Sequence, residues 1–255
     1  MTQTLIYVNA YAVIVLMVVV GSFRRNSDMN SLRDRLFMLI IFLNILMLLS
    51  DSIHEAARGV ASFPAVPFVM LSILIYALPT AIALNWVYLI GLFLKQRRPQ
   101  FQWVEALVHL PFALGIFFAL ASPFTGWFFT VGEGSAYSRG PLYPLYIIIV
   151  YGYLLMAFMN IVLHRRSLRR DHYYALLFFA IPPSIVGGIQ ALFTTAPYTW
   201  AALALSVLMV YLFVLSNQAN TDYLTNLFNR REYEQKLQHY MKNTDDEKRF
   251  GVILL

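Results

Sequence analysis

The sequence predicts an all-α membrane protein, a bundle of seven transmembrane helices with the N-terminus outside and the C-terminus inside the cell. Three observations support this fold class. Hydrophobic residues make up 59% and charged residues 13% of the 255 residues, and soluble domains usually carry about 25% charged residues. Seven apolar segments are each long enough to cross a bilayer. Nearly all Lys and Arg residues fall on one side of these segments.

The seven apolar segments are residues 4–23, 34–56, 66–95, 102–121, 142–164, 172–193 and 199–217. The first segment differs from a cleavable signal peptide, because no Lys or Arg precedes it and Arg24 and Arg25 follow it. Pro79 in the third segment predicts a kink or a strong tilt, and Pro182-Pro183 in the sixth predicts a bend. Neighbouring helices or polar side chains must then satisfy the carbonyl groups that the prolines release.

Lys and Arg residues set the orientation of the bundle. All of them except Arg58 and Arg139 lie in the first, third and fifth connections, at the segment ends next to these connections, or in the C-terminal tail. The positive-inside rule places that side in the cytoplasm. The net charge of +6 is therefore a topology signal, and no nucleic-acid partner is predicted. The chain has no Cys, which excludes disulfides and thiolate metal sites.

The connection at about 122–141 is long and aromatic. Trp127 to Val131 has the composition of a strand, and Gly132-Glu133-Gly134-Ser135 is a turn cluster. This pattern predicts a small hairpin over the outer mouth of the bundle. The alternative is an aromatic belt at the membrane interface without a covering role.

Ionisable side chains in a membrane span are costly unless paired or hydrated, so each is a functional candidate. Asp51 and Glu55 share one face of the second helix near its outer end, beneath the expected hairpin. The predicted external ligand pocket consists of Asp51, His54, Glu55, Trp127, Tyr137, Arg139 and Gln190. Alternatively, Asp51 and Glu55 lie in headgroup water with Arg58 as their partner. No metal site is predicted, because one His beside carboxylates on a single helix turn is common without metal.

A second set of polar or helix-breaking residues lies deeper in the bundle. The candidates for carrying a signal inward are Asn85, Glu105, His109, Asn160, Pro182 and Pro183. The alternative is that the polar members form hydrogen bonds that hold helices together. A retinal photoreceptor is disfavoured because residues 199–217 contain no Lys. A transporter stays open, although the prolines of the third and sixth segments match paired broken helices only loosely.

After the seventh segment the composition changes to that of a soluble domain. A linker at 218–221 leads to Asp222-x-Leu224-Thr225-x-Leu227-x-Asn229-Arg230-Arg231. An amphipathic helix is predicted to follow, to about Met241. Phe250 to Leu255 is typical of the first buried strand of an α/β domain.

The stretch 222–231 closely resembles the opening motif of GGDEF domains, the diguanylate cyclases, with Asn226 where that family most often has Gly. The resemblance implies that residues 222–255 are the N-terminal fragment of such a domain. In that family two GTP molecules condense to cyclic di-GMP between two facing domains, and carboxylates hold two divalent metal ions. The catalytic residues are expected beyond Leu255, so Mg²⁺ and GTP are implied for that part and no cofactor for this chain.

Residues 121–221 resemble, less sharply, the seven-helix sensory region of some bacterial histidine kinases and cyclases. The resemblance lies in Ser122-Pro123-Phe124-Thr125-Gly126, in Tyr137 to Leu142 and in the bend from Pro182 to Gln190. Both resemblances together imply a sensor region, residues 1–217, in the inner membrane of a bacterium. It would bind an unknown small molecule, act as a homodimer in the lipid bilayer and control cyclic di-GMP synthesis. The alternative is a seven-helix transporter or another small-molecule-binding membrane protein.

Overall fold

The computed structural model describes residues 2–26, 30–94, 102–168, 170–193, 198–219 and 233–234. These residues form helices at each of the seven predicted segments and one small hairpin. The elements are α1 (Thr2–Asn26), α2 (Leu32–Ala57), α3 (Ala65–Phe93), α4 (Gln102–Thr125), β1 (Phe129–Gly132), β2 (Ala136–Arg139), α5 (Tyr143–Leu163), α6 (Arg170–Phe193) and α7 (Thr199–Ala219).

Among the described residues, the six helices α1 to α6 are long and apolar enough to cross a membrane. The chain is therefore a multi-pass membrane protein. The described apolar part of α7, Thr199–Phe213, is shorter than these six helices. A seventh crossing and the orientation of the bundle stay predictions.

Helix α3 is the centre of the packing, because it contacts α2, α4 and α5. It is apolar on nearly all sides, which is the pattern of a helix surrounded by others. Tyr76, Pro79, Ala83 and Trp86 are buried on one stripe of α3 at three- and four-residue spacing. Helix α1 packs on α2, and α6 packs on α5. The four residues of this stripe also line the cavity at one end of the bundle.

Tyrosines of α5 support the proline-containing helices beside it. The Tyr153 hydroxyl accepts from Phe112 N at 2.9 Å and donates to Val108 O at 2.6 Å. It thus bridges one step of the α4 ladder next to Pro111, where a side chain from a neighbouring helix can stabilise interrupted backbone bonding. In α6, Ser184 O accepts a hydrogen bond from the Tyr151 hydroxyl at 3.1 Å. Helices α3 and α6 both continue past their prolines.

The predicted hairpin is confirmed. Strands β1 and β2 pair antiparallel, with Phe129 opposite Arg139, and a short turn at Glu133–Ser135 joins them. Gly134 and Ser135 both have positive φ, 65° and 57°, and Gly134 adopts this conformation without a Cβ penalty.

Backbone hydrogen bonds close the base of the hairpin and hold its turn. Gly140 N donates to Phe128 O and Leu142 N donates to Trp127 O, both at 2.8 Å. The turn is held as well, since Gly59 N in the α2–α3 connection donates to Ser135 O at 3.2 Å. Phe128, at the start of the hairpin, is fully buried beneath it. The hairpin is therefore a packed part of one end of the bundle, which is called the hairpin end below.

The chain divides into two compact units, Met1–Val210 and Tyr211–Leu255. Helix α7 continues to Ala219, so the first two residues of the predicted linker at 218–221 are helical. The motif at 222–231 and the strand at 250–255 lie outside the described residues. Tyr233 and Glu234, which fall in the predicted amphipathic helix, are helical.

The orientation of the bundle can be tested with cysteines, because the chain has none of its own. Glu133 at the hairpin tip and Arg166 after α5 are both exposed. We expect Glu133→Cys to react with a membrane-impermeant maleimide on intact cells, and Arg166→Cys to react only after the cells are opened. The reverse labelling pattern would contradict the predicted topology.

Candidate ligand-binding site

A cavity of about 500 Å³ lies at the hairpin end, between β2 and the helices α2, α3, α5, α6 and α7. Its volume falls in the range of about 300–1,000 Å³ that is usual for small-molecule sites. Its lining is mainly apolar and aromatic, with a few polar side chains. This composition is typical of a pocket in which a few groups orient a largely apolar ligand.

The polar side chains of the lining are concentrated where the hairpin meets the helix ends. Glu55 and Arg58 come from the end of α2, and Ser138 and Arg139 come from β2. Gln190, near the end of α6, accepts a hydrogen bond from Thr199 Oγ1 at 2.6 Å. This end of the cavity therefore carries both charged groups and neutral hydrogen-bonding groups.

The opposite end of the cavity is mainly aromatic, and the Trp86 Nε1 there is buried without a hydrogen-bond partner among the described residues. Trp86 of α3 stacks on Phe179 of α6, with ring centroids 3.7 Å apart, and both rings belong to the lining. Trp86 follows Tyr76, also in the lining, by ten residues along α3, which is about 15 Å at 1.5 Å per residue. The cavity is therefore elongated along the helices, with chemically different ends.

Asp51 and His54 are buried in the wall that α2 contributes, each 5% exposed. Asp51 Oδ2 accepts from Asn9 Nδ2 of α1 at 3.0 Å. The Ser72 hydroxyl donates to Phe68 O and lies 3.1 Å from His54 Nε2. Because the single hydroxyl proton is used by that carbonyl, His54 Nε2 is the donor to Ser72. Both α2 side chains are thus held by α1 and α3.

Glu55 and Arg58 form an ion pair across 3.6 Å, and Glu55 also accepts from Thr2 Oγ1 at 3.4 Å. Glu55 thus has the Arg58 partner that the headgroup-water alternative names for it. Asp51 does not, because it is buried and bonded to Asn9. Among the described residues, no group of three His, Asp or Glu side chains could hold a metal ion.

Tyr76 is the centre of an aromatic cluster below the hairpin. Its ring stacks on Phe128 and Phe129 and meets the edge of Tyr146 at 4.8 Å. Its hydroxyl donates to Phe128 O at 3.0 Å and lies 2.6 Å from the Tyr137 hydroxyl. The proton between the two phenols therefore comes from Tyr137. Burial raises the pKa of the Tyr137 phenol above 10, so this donor stays protonated at neutral pH.

The cavity is lined by all the predicted pocket residues except Trp127. These are Asp51, His54, Glu55, Tyr137, Arg139 and Gln190. The Trp127 ring packs instead on Phe118 of α4, with centroids 5.2 Å apart. Trp127 still supports the hairpin through its carbonyl, which accepts from Leu142 N.

The predicted coupling residues are dispersed in the bundle. Asn85 Nδ2 donates to Leu36 O at 3.1 Å, which links α3 to α2. His109 of α4 lies within hydrogen-bond distance of the Tyr88 hydroxyl, at 3.0 Å. Asn160 donates to Met156 O in its own helix. Pro183 lines the cavity, whereas Pro182 does not; the side chain of Glu105 lies outside the described part of the chain.

Sequence reasoning missed the aromatic lining of the cavity and the partner of Asp51. Tyr143 and Tyr146 of α5 and Trp86 of α3 all line the cavity. These residues are three or four positions from other lining residues, a spacing that places them on one helix face and that can be read from the sequence. Asn9 in the middle of the first apolar segment was a further available signal, because a polar amide inside a span usually has a partner.

No model of a known protein family matches the chain, and no curated protein matches it either. The fold and the cavity define a helical, multi-pass membrane protein with a ligand-sized site at one end of its bundle. A functional assignment therefore depends on the chemistry of that site and on the sequence that follows α7.

Proposed function

We propose that the chain is the membrane sensor region of a bacterial diguanylate cyclase, with its cavity as the receptor site on the outer side. The cavity is the observation that carries the sensor assignment, because it is large enough for a small molecule and has a polar and a mainly aromatic end. The resemblance of Asp222 to Arg231 to the GGDEF opening motif supports the cyclase assignment.

Helices α6 and α7 provide the route from the cavity towards the cyclase. Gln190 of α6 and Thr199, Trp200 and Leu203 of α7 belong to the lining, and α7 continues to Ala219, shortly before Asp222. A ligand can shift the position of α7 only if it binds one arrangement of these helices more tightly than another. The joint between α7 and the motif is too short for a long coiled coil, so we propose that the membrane part itself sets the geometry of the dimer.

The close packing of α6 at Gly187 favours a small movement of α6 between discrete positions. A Cβ atom at Gly187 would lie 2.9 Å from the Tyr151 hydroxyl and 3.2 Å from Thr199 Cγ2. The absence of a side chain at Gly187 thus permits close contact with α5 and with α7. Because packed interfaces change between discrete arrangements, this contact is a suitable element for transmitting occupancy of the cavity.

The alternative is a transporter, which needs a path from the cavity to the other side of the membrane. The cavity ends at the Trp86–Phe179 stack. A cavity that ends inside the bundle supports a receptor over a transporter. Uptake of a compound into vesicles that contain the purified chain would favour the transporter instead.

The cyclase assignment is tested on the protein as its own cells make it, purified through an affinity tag inserted into the chromosomal copy. We expect the preparation to convert GTP into cyclic di-GMP in the presence of Mg²⁺, since the family reaction needs both. Product is measured by liquid chromatography, with a sample lacking metal as the control. A preparation of a well-folded dimer that makes no cyclic di-GMP contradicts the cyclase assignment.

A further inference from the structure

We propose that the cavity binds a single-chain amphiphile with an anionic head group, a carboxylate or a phosphate monoester. The head group lies at Arg139 beneath the hairpin, and the chain extends towards Trp86. This inference depends on the proposed function only in treating the cavity as a receptor site, and it names the chemical class of the ligand.

Arg139 is the cation that is available to such a head group. The four charged residues of the lining, Asp51, Glu55, Arg58 and Arg139, cancel in formal charge. However, Glu55 is paired with Arg58, and Asp51 is bonded to Asn9 of α1. Among the described residues Arg139 makes no ion pair, and its guanidinium carbon lies 4.3 Å from the centre of the Tyr143 ring. That contact positions the guanidinium and consumes none of the N–H donors that bind carboxylates or phosphates in pairs.

Two phenols of α5 supply further donors next to Arg139. Tyr143 and Tyr146 line the cavity, and their hydroxyls make no hydrogen bond with any described residue. The Tyr146 side chain is only 8% exposed and belongs to the cavity lining, so its hydroxyl is available to a ligand in the cavity. The Tyr137 hydroxyl, by contrast, already donates to Tyr76. An anionic oxygen at this position would accept from Tyr146 and pair with Arg139.

The rest of the cavity fits an unbranched apolar chain. Between Tyr146 and Trp86 the lining is mainly apolar, and the Tyr151 hydroxyl there donates to Ser184 O. The apolar side chains come from four helices and are Ile82, Val150, Leu154, Phe179 and Leu203. The elongated space ends at the Trp86–Phe179 stack. Moving the apolar chain of a ligand from water into this lining is favourable in proportion to the apolar area that is buried. A two-chain phospholipid would have to leave one chain outside a cavity of about 500 Å³, so a single chain fits better.

The test is binding of 11-bromoundecanoate to the chain in nanodiscs of zwitterionic lipid, followed by tryptophan fluorescence. The terminal bromine quenches an indole only on contact, and the chain has four Trp residues. We expect saturable quenching in the unmodified chain and loss of most of it in Trp86→Phe. We expect Arg139→Gln to raise the half-saturating concentration at least about tenfold, about 1.4 kcal/mol. Arg139→Lys keeps the charge but loses the paired N–H donors, so it should bind more tightly than Arg139→Gln and more weakly than the unmodified chain.

Matched controls separate the cavity from the bilayer. Arg165→Gln, an exposed cation at the other end of α5, should bind the probe like the unmodified chain. The cationic probe 11-bromoundecyl-trimethylammonium should give no saturable quenching. Equal affinity for both probes, or unchanged quenching in Trp86→Phe or Arg139→Gln, would overturn the proposal.

A second arm distinguishes the two sources of an anionic single-chain ligand. Lysophosphatidate with a bromoundecanoyl chain replaces the free acid in the same titration. Tighter binding of the lysophosphatidate indicates a lipid from the membrane, and tighter binding of the free acid indicates a ligand from outside; either result supports the proposal. Because the readout uses no GTP, its failure leaves the cyclase assignment untouched, and an inactive cyclase leaves the binding result untouched.

Discussion

Replacing Tyr76 with Ala is expected to lower the free energy of unfolding by about 3–5 kcal/mol, the range for buried aromatic side chains. Tyr76 is 1% exposed, and its ring contacts Phe128, Phe129 and Tyr146. The change removes the ring that joins α3 to the hairpin and to α5. The measurement is thermal unfolding of the detergent-purified chain, followed by size-exclusion chromatography after heating.

Two further variants show where the effect of Tyr76 arises. Tyr76→Phe keeps the ring but leaves the partly buried Tyr137 hydroxyl without its acceptor, and we expect a smaller loss of about 0.5–1.5 kcal/mol. Phe128 O keeps one bond in that variant, from Gly140 N. The control is Tyr7→Ala on α1, because Tyr7 is 63% exposed. If Tyr76→Ala unfolds at the same temperature as Tyr7→Ala, the aromatic cluster does not hold the hairpin.

Gly140→Ala is expected to detach the base of the hairpin. A Cβ atom at residue 140 would clash with the backbone carbonyl groups of Gly126 and Trp127. Backbone atoms cannot move aside as a flexible side chain can, so the segment from Gly140 to Leu142 must shift. The shift would break the bonds from Gly140 N to Phe128 O and from Leu142 N to Trp127 O. Overpacking of this kind typically costs about 1–3 kcal/mol and occasionally more.

The same hairpin offers a matched glycine for comparison. A Cβ atom at Gly132 would meet Ala136 at 3.6 Å, an ordinary contact, so Gly132→Ala should unfold like the unmodified chain. Limited proteolysis within 126–142 provides the local readout, and Gly140→Ala should be cut faster than Gly132→Ala. Equal cleavage of the two variants would show that the hairpin is not fastened at Gly140.

Local composition predicts much of this fold for a physical reason. A bilayer requires long apolar helices, so the seven helices could be located from hydropathy alone. The hairpin could be located because Trp127 to Val131 is rich in strand-forming residues and Gly134 permits a positive φ. The end of the bundle that carries the polar residues could be predicted too, because Asp51 and His54 are costly in a span and therefore mark a candidate site.

The aromatic lining could not be separated from lipid-facing residues by spacing. Tyr143 and Tyr146 line the cavity, whereas Tyr7 and Tyr11, at similar helical spacing in α1, are 63% and 71% exposed. Periodicity shows that two residues share a face, but it does not show what that face contacts. The prediction that Trp127 lines the pocket was wrong for a related reason. Its ring packs on Phe118 of α4, and spacing along the sequence does not show that contact.

We propose that occupancy of the cavity at the hairpin end controls a cyclase. The most direct test of this claim is the rate of cyclic di-GMP synthesis by the native protein in nanodiscs during titration with 11-bromoundecanoate. We predict that the rate changes saturably and that Arg139→Gln shifts the midpoint to higher concentration by the factor found for binding. A rate that does not depend on the probe over the range that saturates Trp86 quenching would contradict the claim.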